Sequence, residues 1–337
     1  MLNFDPDRYV RIQQGAVGTA PALAEIVDRE LERGLDSVLF LGAGGAGFLM
    51  DPAAELLAAR STLPTRRLVG GELVAAGSSL LGPGTLVVVP SLSGTTPDAL
   101  EHIATAKAAG ARVLALVGDA DTPVAQASDH VVANRAADDT SSESFYLQSQ
   151  ILAVTLLQRR GEWSAATAYL EGLQGVPEAL LSIKEHSETR AEEIARHLAE
   201  HSWHIFTGSG PSWTEAHYYA MCILEEMQWI RTRPVHASDF FHGTLELVEP
   251  DTSIVLLIGE GPTRAMDERV RDFVSQITDQ LVVLDSTDHA LPGVDDRHRH
   301  LLSHVVHAAM LQRVSAHLEV IRDHPLSTRR YYRRVSY

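Results

Sequence analysis

Cysteine occurs once in the 337 residues, at Cys222, so no disulfide can close within the chain and a zinc centre built from thiolates is excluded. Cys222 lies in an apolar helical stretch, where buried packing is the expected duty of a lone thiol. Lysine occurs only at Lys107 and Lys184 among 28 basic side chains. The others are arginines, which stay protonated and cannot form a Schiff base. Basic residues are outnumbered by 44 acidic ones, and the formal net charge of −16 repels a phosphate polyanion. Nucleic acid is therefore not an expected partner unless a basic face is set apart. One basic cluster does exist, where Arg329, Arg330, Arg333 and Arg334 flank Tyr331 and Tyr332. Long apolar runs are missing too. None approaches the roughly 18 residues of a membrane span. Met1–Val10 has neither the basic flank nor the apolar core of a signal peptide, so a cytoplasmic location without a membrane partner is expected.

The chain does have abundant core-forming material and a regular alternation. At 45% apolar residues it can bury a large interior, and its length suits two domains or one double-wound unit. Pro6 to Gly34 reads as helices, followed by the apolar run Ser37–Leu41, the glycine turn Gly42–Gly47 and a helical stretch to Arg60. Strand, glycine turn and helix open a parallel α/β unit. The pattern continues through a strand at Thr85–Pro90, the loop Ser91–Thr96, a helix at Pro97–Ala109, and strands at Arg112–Val117 and near His130–Ala133. A helix-rich stretch from Ser144 to about Glu200 intervenes. The pattern then restarts, Trp203–Thr207 leading into Gly208–Pro211 and Ser253–Ile258 into Gly259–Thr263. Gly42 and Gly208 are 166 residues apart, Gly94 and Gly261 are 167 apart, and so constant an offset predicts an internal duplication. The expected division is N-terminal helices over 1–30, a first half over 31–165, a helical linker over 166–200, a second half over 201–325 and a tail over 326–337. The last long helix is expected near Arg299–Asp323.

Three stretches are candidates for chemistry. Gly42-x-Gly44-x-x-Gly47 formally matches a dinucleotide fingerprint, with Arg66 and Arg67 about where a ribose 2′-phosphate would be met. The second copy, Gly208-Ser-Gly-Pro, lacks the third glycine. The loop Ser91-Leu-Ser-Gly-Thr-Thr96 is more specific. Hydroxyls of Ser91, Ser93 and Thr96, a turn at Gly94 and free amides at the start of the Pro97 helix would wrap a terminal phosphate. The alternative is a plain N-cap by Thr95 or Thr96, with Pro97 in the first helical position. In the second half the corresponding loop places Glu260 where an anion would sit. The other stretch is Met221–Glu249. Glu226 stands in an apolar helical pattern, and His242 follows in the loop Phe240-Phe241-His242-Gly243. A carboxylate and an imidazole meeting across a cleft can move a proton beside a carbonyl or imine. Glu225 points about 100° away from Glu226 and reads as structural. Ser141 and Ser142 either cap a helix or touch a sugar, and Ser209 either touches a sugar or serves its turn. The histidines between His289 and His324 follow no zinc spacing, so no metal is expected.

Taken together, these residues resemble the sugar isomerase (SIS) domain proteins, which bind phosphorylated sugars on paired flavodoxin-like halves. The resemblance covers nearly the whole chain and implies an α/β fold of two such halves with parallel sheets. Ser91-x-Ser-Gly-x-Thr96 is similar to the family's phosphate loop. Glu226 with His242-Gly243 looks like the catalytic pair of the isomerase domain of glucosamine-6-phosphate synthase and of the fructosamine-6-phosphate deglycases. Asp239–Gly243 and the segment from His324 to Val335 look most like the deglycase branch. There are departures. Gly45 and Ala46 stand where the family often has a hydroxyl, which leaves a phosphate contact to the backbone amides of Gly44 and Gly45. Ile223 replaces a lysine of the synthase, the tail carries arginines in place of its lysine, and Thr244 replaces its proline. The implied activity is cleavage of a 6-phosphorylated Amadori product to an aldose 6-phosphate and a free amine, without a cofactor. The implied assembly is a homodimer with a shared site. The alternatives are an aldose-ketose isomerase or amino-sugar-phosphate deaminase on the same site, or a non-catalytic sugar-phosphate sensor.

Overall fold

Uninterrupted runs of valine, leucine and isoleucine form strands buried on both faces, as a parallel sheet covered by helices requires. The computed structural model of the chain describes residues 1–42, 44–332, 334 and 335. Arg333 of the basic cluster lies outside the described residues. The chain divides into two compact units.

The first comprises residues 6–177 with 292–294. Helices α1 (Pro6–Val17) and α2 (Ala20–Glu32) precede β1 (Ser37–Gly42), α3 (Gly44–Phe48), α4 (Asp51–Arg60), β2 (Thr65–Val69) and α5 (Gly70–Ala76). Then come β3 (Thr85–Ser91), α6 (Pro97–Ala108), β4 (Arg112–Val117), α7 (Pro123–Ala127), β5 (His130–Ala133), α8 (Ser141–Arg159) and α9 (Ala166–Gly172). The strands lie in the order β2-β1-β3-β4-β5, all parallel. β1 and β3 are buried at every position. Alternate residues Leu39, Leu41, Val87, Val89, Val113 and Ala115 share one core cluster with Ala99 and Ile103 of α6.

Helix α10 (Val176–Glu200) runs on into the second unit, which comprises 1–5, 178–291 and 295–337. It continues with β6 (Trp203–Gly208), α11 (Gly210–Tyr218), a π-helical segment Tyr219–Glu225, the single turn α12 (Glu226–Gln228) and β7 (Arg231–His236). Next are β8 (Ile254–Ile258), α13 (Arg264–Val274), β9 (Leu281–Asp285) and the buried α14 (Ser303–Ile321). The order here is β7-β6-β8-β9, again all parallel. The core repeats the same logic, with Ile205, Ile254, Leu256 and Ile258 packed on Val270, Val274 and Phe240.

The two sheets share one connectivity, and their registers match. Leu39 pairs with Val87 in the first, and Ile205 pairs with Ile254 in the second, displaced by 166 and 167 residues. The duplication expected from the glycines is thus visible in the hydrogen-bond ladders. Strands β2, β7 and β9 were not expected from the sequence, and all three lie at sheet edges. β2 and β7 carry arginines, and β7 contains Pro234, residues that an edge tolerates and a central strand does not. Helix α8 begins at Ser141 rather than Ser144, and α14 is shorter than Arg299–Asp323 because Arg299–Leu302 forms a 3₁₀ turn. Among the described residues no helix is long and apolar enough to cross a membrane.

In the second unit α14 is tied down by a buried charge. Arg313, fully buried, donates from Nε and Nη2 to Glu188 at 2.7 and 3.0 Å and from Nη2 to the Leu2 carbonyl at 2.6 Å. Burial raises the Glu188 carboxyl, but the hydrogen bonds from Arg313 and Leu2 and the charges of Arg313 and His317 outweigh it and hold it at about 2. The stabilisation is complete above the unfolded carboxylate value and is lost as pH falls through the window between the two. Glu188→Gln should therefore cost about 3 kcal/mol at pH 7 and flatten the acid limb of stability between pH 5 and 2, read by urea unfolding at several pH values.

Candidate active site

In an open parallel sheet, ligands meet the loops that leave the carboxyl ends of strands where the connection changes direction. In the first unit that point lies between β1 and β3. The loop after β1 is pinned by two glycines. A Cβ on Gly42 would stand 2.4 Å from the Gly47 Cα, which excludes any other residue there, and one on Gly47 would press on the Gly42 carbonyl at 3.0 Å. Gly44 opens α3 at φ +55, and Gly44 and Gly45 present their backbone at its first turn. Arg67, weighed above as a cofactor contact, instead makes a bidentate pair with Asp51 at 2.6 and 3.1 Å and lies over the Phe48 ring.

The loop after β3 holds the predicted hydroxyls. Ser91 is buried, and its Oγ is 3.4 Å from Thr96 Oγ1, which brings two of the three expected hydroxyls together. Ser93 is exposed and accepts from the Thr95 amide and hydroxyl at 3.3 and 3.1 Å. Thr96 is the N-cap of α6 with extended backbone and Pro97 follows as the first helical residue, as the capping alternative expects, but the Thr96 side chain makes no capping hydrogen bond. Gly94 turns the chain at φ +62, and its carbonyl accepts from the Val124 amide. A Cβ there would lie 2.2 Å from Thr122 Oγ1. Thr122, missed in the sequence, is thus the wall behind the loop, and its N-capping contact to Ala125 was the available signal. Ser141 and Ser142 stand in the first turn of α8 and do not cap it. Ser141 donates to the Asp138 carbonyl, while Ser142 donates to Glu143, which also accepts from Tyr9.

In the second unit the equivalent loops are filled by the protein's own groups. Ser209, fully buried, donates to the Thr263 carbonyl at 3.1 Å, joining the loop after β6 to the loop after β8. Glu260 pairs with Arg299 at 3.0 Å, and its amide donates to Ser303. Arg264 clamps Asp285 at 2.8 and 2.6 Å. Beneath lies Asp267, which burial pushes up to about 6 against the hydrogen bond from the Gly259 amide.

Glu226 sits just past the π-helical segment. That stretch ends at Trp229, a non-glycine residue with φ 56, where the Ile230 amide reaches back to the Leu224 carbonyl. An edge-on contact with His324 at 4.4 Å and the Arg330 guanidinium at 3.9 Å hold the Trp229 ring. Glu225 accepts from the amide and hydroxyl of Thr232 at 3.2 and 2.6 Å, which gives it the structural duty expected of it. Glu226 is exposed, receives Arg329 Nε at 3.1 Å, and lines a cavity of about 920 Å³ with Trp229, Arg231, Arg329, Arg330 and Tyr332. Arg329 and Arg330 of the basic cluster thus fold back over the carboxylate. Cys222, close by, is buried, and burial with the nearby carboxylates pushes its thiol up to about 12.

His242 ends a 3₁₀ turn, Asp239–His242, and Gly243 follows at φ +148. It is exposed and lines a second cavity, of about 670 Å³, with Trp213, Arg233, His236 and Thr244. Glu226 precedes β7 and His242 follows it, so within one chain a six-residue strand separates them, a span of roughly 17–20 Å. The two do not line one cavity in a single chain. Among the described residues no three histidine, cysteine, aspartate or glutamate side chains are gathered to hold a metal ion.

Two parallel sheets of the same winding, one with a hydroxyl-lined loop at its switch point, define a class. Residues 36–157 match the family model of the SIS domain. It shares 29% identity over 308 residues, 90% of this chain and 93% of the relative, with fructosamine deglycase FrlB of Bacillus subtilis (strain 168). With the fructoselysine 6-phosphate deglycase of Escherichia coli (strain K12) it shares 23% over 312 residues, 93% of this chain and 90% of the relative. A solved Bacillus subtilis structure described as a phosphosugar isomerase superposes with a TM-score of 0.85 at 27% identity, over 90% of this chain and 93% of that one.

The Ser91–Thr96 loop makes one sharp demand, at Gly94. Gly94→Ala should lower stability by about 1–3 kcal/mol, since it combines a left-handed backbone with a collision against Thr122. Denaturant unfolding measures this, and an unchanged midpoint would mean the loop is not held as described.

Proposed function

We propose that the chain is a deglycase that cleaves a 6-phosphorylated Amadori product to an aldose 6-phosphate and a free amine. The observation that carries this reading is the Ser91–Thr96 loop. It sets the Ser91 and Thr96 hydroxyls together at an α6 amino end that no side chain caps, with Ser93 exposed in the same loop, at the switch point of its sheet. That is the chemistry a terminal phosphate needs. The deglycase relatives, matched over nine-tenths of this chain, support the same substrate class.

In this mechanism Ser91, Ser93, Thr96 and the amides of Gly44 and Gly45 hold the phosphate, with Ser141 and Ser209 the remaining candidates near the sugar. Glu226 removes a proton from C1 of the open-chain ketose while His242 assists ring opening or protonates O2. The product is an enolamine. Return of a proton to C2 gives an imine at C1, and water adds there to release the amine and leave the aldehyde. No enzyme amine is required, because the substrate carries its own nitrogen, which suits a chain whose cavity beside Glu226 offers arginines and no lysine. As Glu226 and His242 lie at opposite ends of β7, the reading includes a homodimer whose sites each take the carboxylate from one chain and the imidazole from the other. A cytoplasmic setting goes with such a substrate.

Glu226→Gln should retain phosphate-dependent binding and lose about 10²–10⁴-fold in kcat, as expected for removal of a general base. Release of aldose 6-phosphate from a 6-phosphofructosyl amine is the assay, and undiminished turnover in the variant would reject the assignment. Mixing Glu226→Gln and His242→Asn chains should restore turnover, because one of the two sites in each mixed dimer keeps both groups. Failure to complement, with mixed dimers demonstrated, would place both groups in one chain's site.

A further inference from the structure

We propose that Arg329 and Arg330 read a carboxylate on the amine portion of the substrate, and that Arg329 exchanges Glu226 for that carboxylate on binding. The inference rests on the deglycase reading above and adds the identity of the groups that select the amine.

The cavity beside Glu226 contains two carboxylates and three guanidinium groups. Glu225 is committed to Thr232, and Glu226 faces Arg329. Arg231 and Arg330 line the same space without a carboxylate partner among the described residues. A surplus of positive charge is thus gathered at one place on a chain of net charge −16. Its position matters. The nitrogen of an Amadori product is bonded to C1, the carbon from which Glu226 would take the proton, so whatever the nitrogen carries extends from Glu226 into this cavity.

The Arg330 guanidinium lies 3.9 Å from the Trp229 ring centroid, so part of its desolvation is met by the aromatic face. Arg329 is anchored on its other edge, where Nη1 donates to the Leu326 and Thr328 carbonyls at 2.6 and 3.0 Å. Its Nε points to Glu226 Oε1 at 3.1 Å, so one oxygen of the proposed base is taken by Arg329. A substrate carboxylate offers Arg329 an equivalent partner and frees that oxygen for C1. A neutral amine offers nothing to exchange.

The test compares 6-phosphofructosyl-glycine with 6-phosphofructosyl-methylamine, which differ by the carboxylate alone. In the wild type the ratio of their kcat/KM values should favour the glycine adduct by about 10- to 100-fold, the worth of a charge-assisted hydrogen bond. In the Arg329→Gln/Arg330→Gln double variant the ratio should fall toward one. A wild-type ratio near one, or a ratio unchanged in the double variant, overturns the proposal while leaving the deglycase reading intact. A second measurement does not depend on turnover. Free glycine should change the Trp229 fluorescence of the wild type, and the change should be lost both in Trp229→Phe and in the double variant. Turnover of neither adduct, with the fluorescence response present, would sink the deglycase reading and keep the carboxylate site; absence of the response overturns the site itself.

Discussion

A parallel strand cannot be followed directly by its neighbour; the chain must first travel back to the end from which it started, and everything else in this protein follows from that. Loops of one kind collect at the carboxyl ends of the strands, and return segments collect at the amino ends. The serine loop after β3 and the histidine turn after β7 are of the first kind. Glu226, on the return segment that feeds β7, is of the second. A proton-transfer pair drawn from the two ends of one strand is out of reach within a chain, however close its members stand in the sequence. The proposed pairing between two chains is the arrangement in which that restriction stops mattering.

Within this shared framework the halves have been put to different uses. Both sheets carry the same winding with registers displaced by a nearly constant number of residues, so their switch points are equivalent places. In the first half that place is walled by hydroxyls and backbone. In the second, Glu260 with Arg299 and Arg264 with Asp285 fill it with paired charges, over a buried Asp267 and Ser209. Burial pushes the Glu260 carboxyl up despite the opposing pull of Arg299. A carboxylate already seated among donors leaves little room for an anion at this place, and in the proposed mechanism the second half contributes Glu226 and His242 instead.

Much of the fold was legible because its central strands are runs of apolar residues closed by glycine turns. Ser37–Leu41, Thr85–Pro90 and Arg112–Val117 lie within or match observed strands, as do Trp203–Thr207 and Ser253–Ile258 apart from Ser253. The edges were not legible. β2 and β7 read as polar connections, since an edge strand keeps one side of its backbone and much of its side-chain surface in water. At the site, the hydroxyl loop and Glu225's structural duty could be read from residue type and helical spacing. The capping roles considered for Ser141 and Ser142 could not be judged, because the helix start is set by Thr140 and a buried carboxylate, Glu143, bonded to Tyr9 134 residues earlier. Nor could the separation of Glu226 from His242, which depends on recognising β7 between them. The arginine-tyrosine cluster stood out by composition, but its place over Glu226 is a tertiary fact.

The π-helical segment Tyr219–Glu225 gives the carboxylates that follow it an angular setting of their own. A turn wound this way holds one residue more than a regular one, and each residue advances a regular helix by about 100°. Removing a single residue between 219 and 225 would therefore act as a rotation: it would wind the stretch back to regular helix and turn Glu225 and Glu226 together about the axis, carrying the first off Thr232 and the second out of line with Arg329. In this fold, which acid faces the cavity is set by the length of the helix upstream, so insertions and deletions there, more than replacements at the cavity wall, are the changes by which such a chain could re-aim its acids.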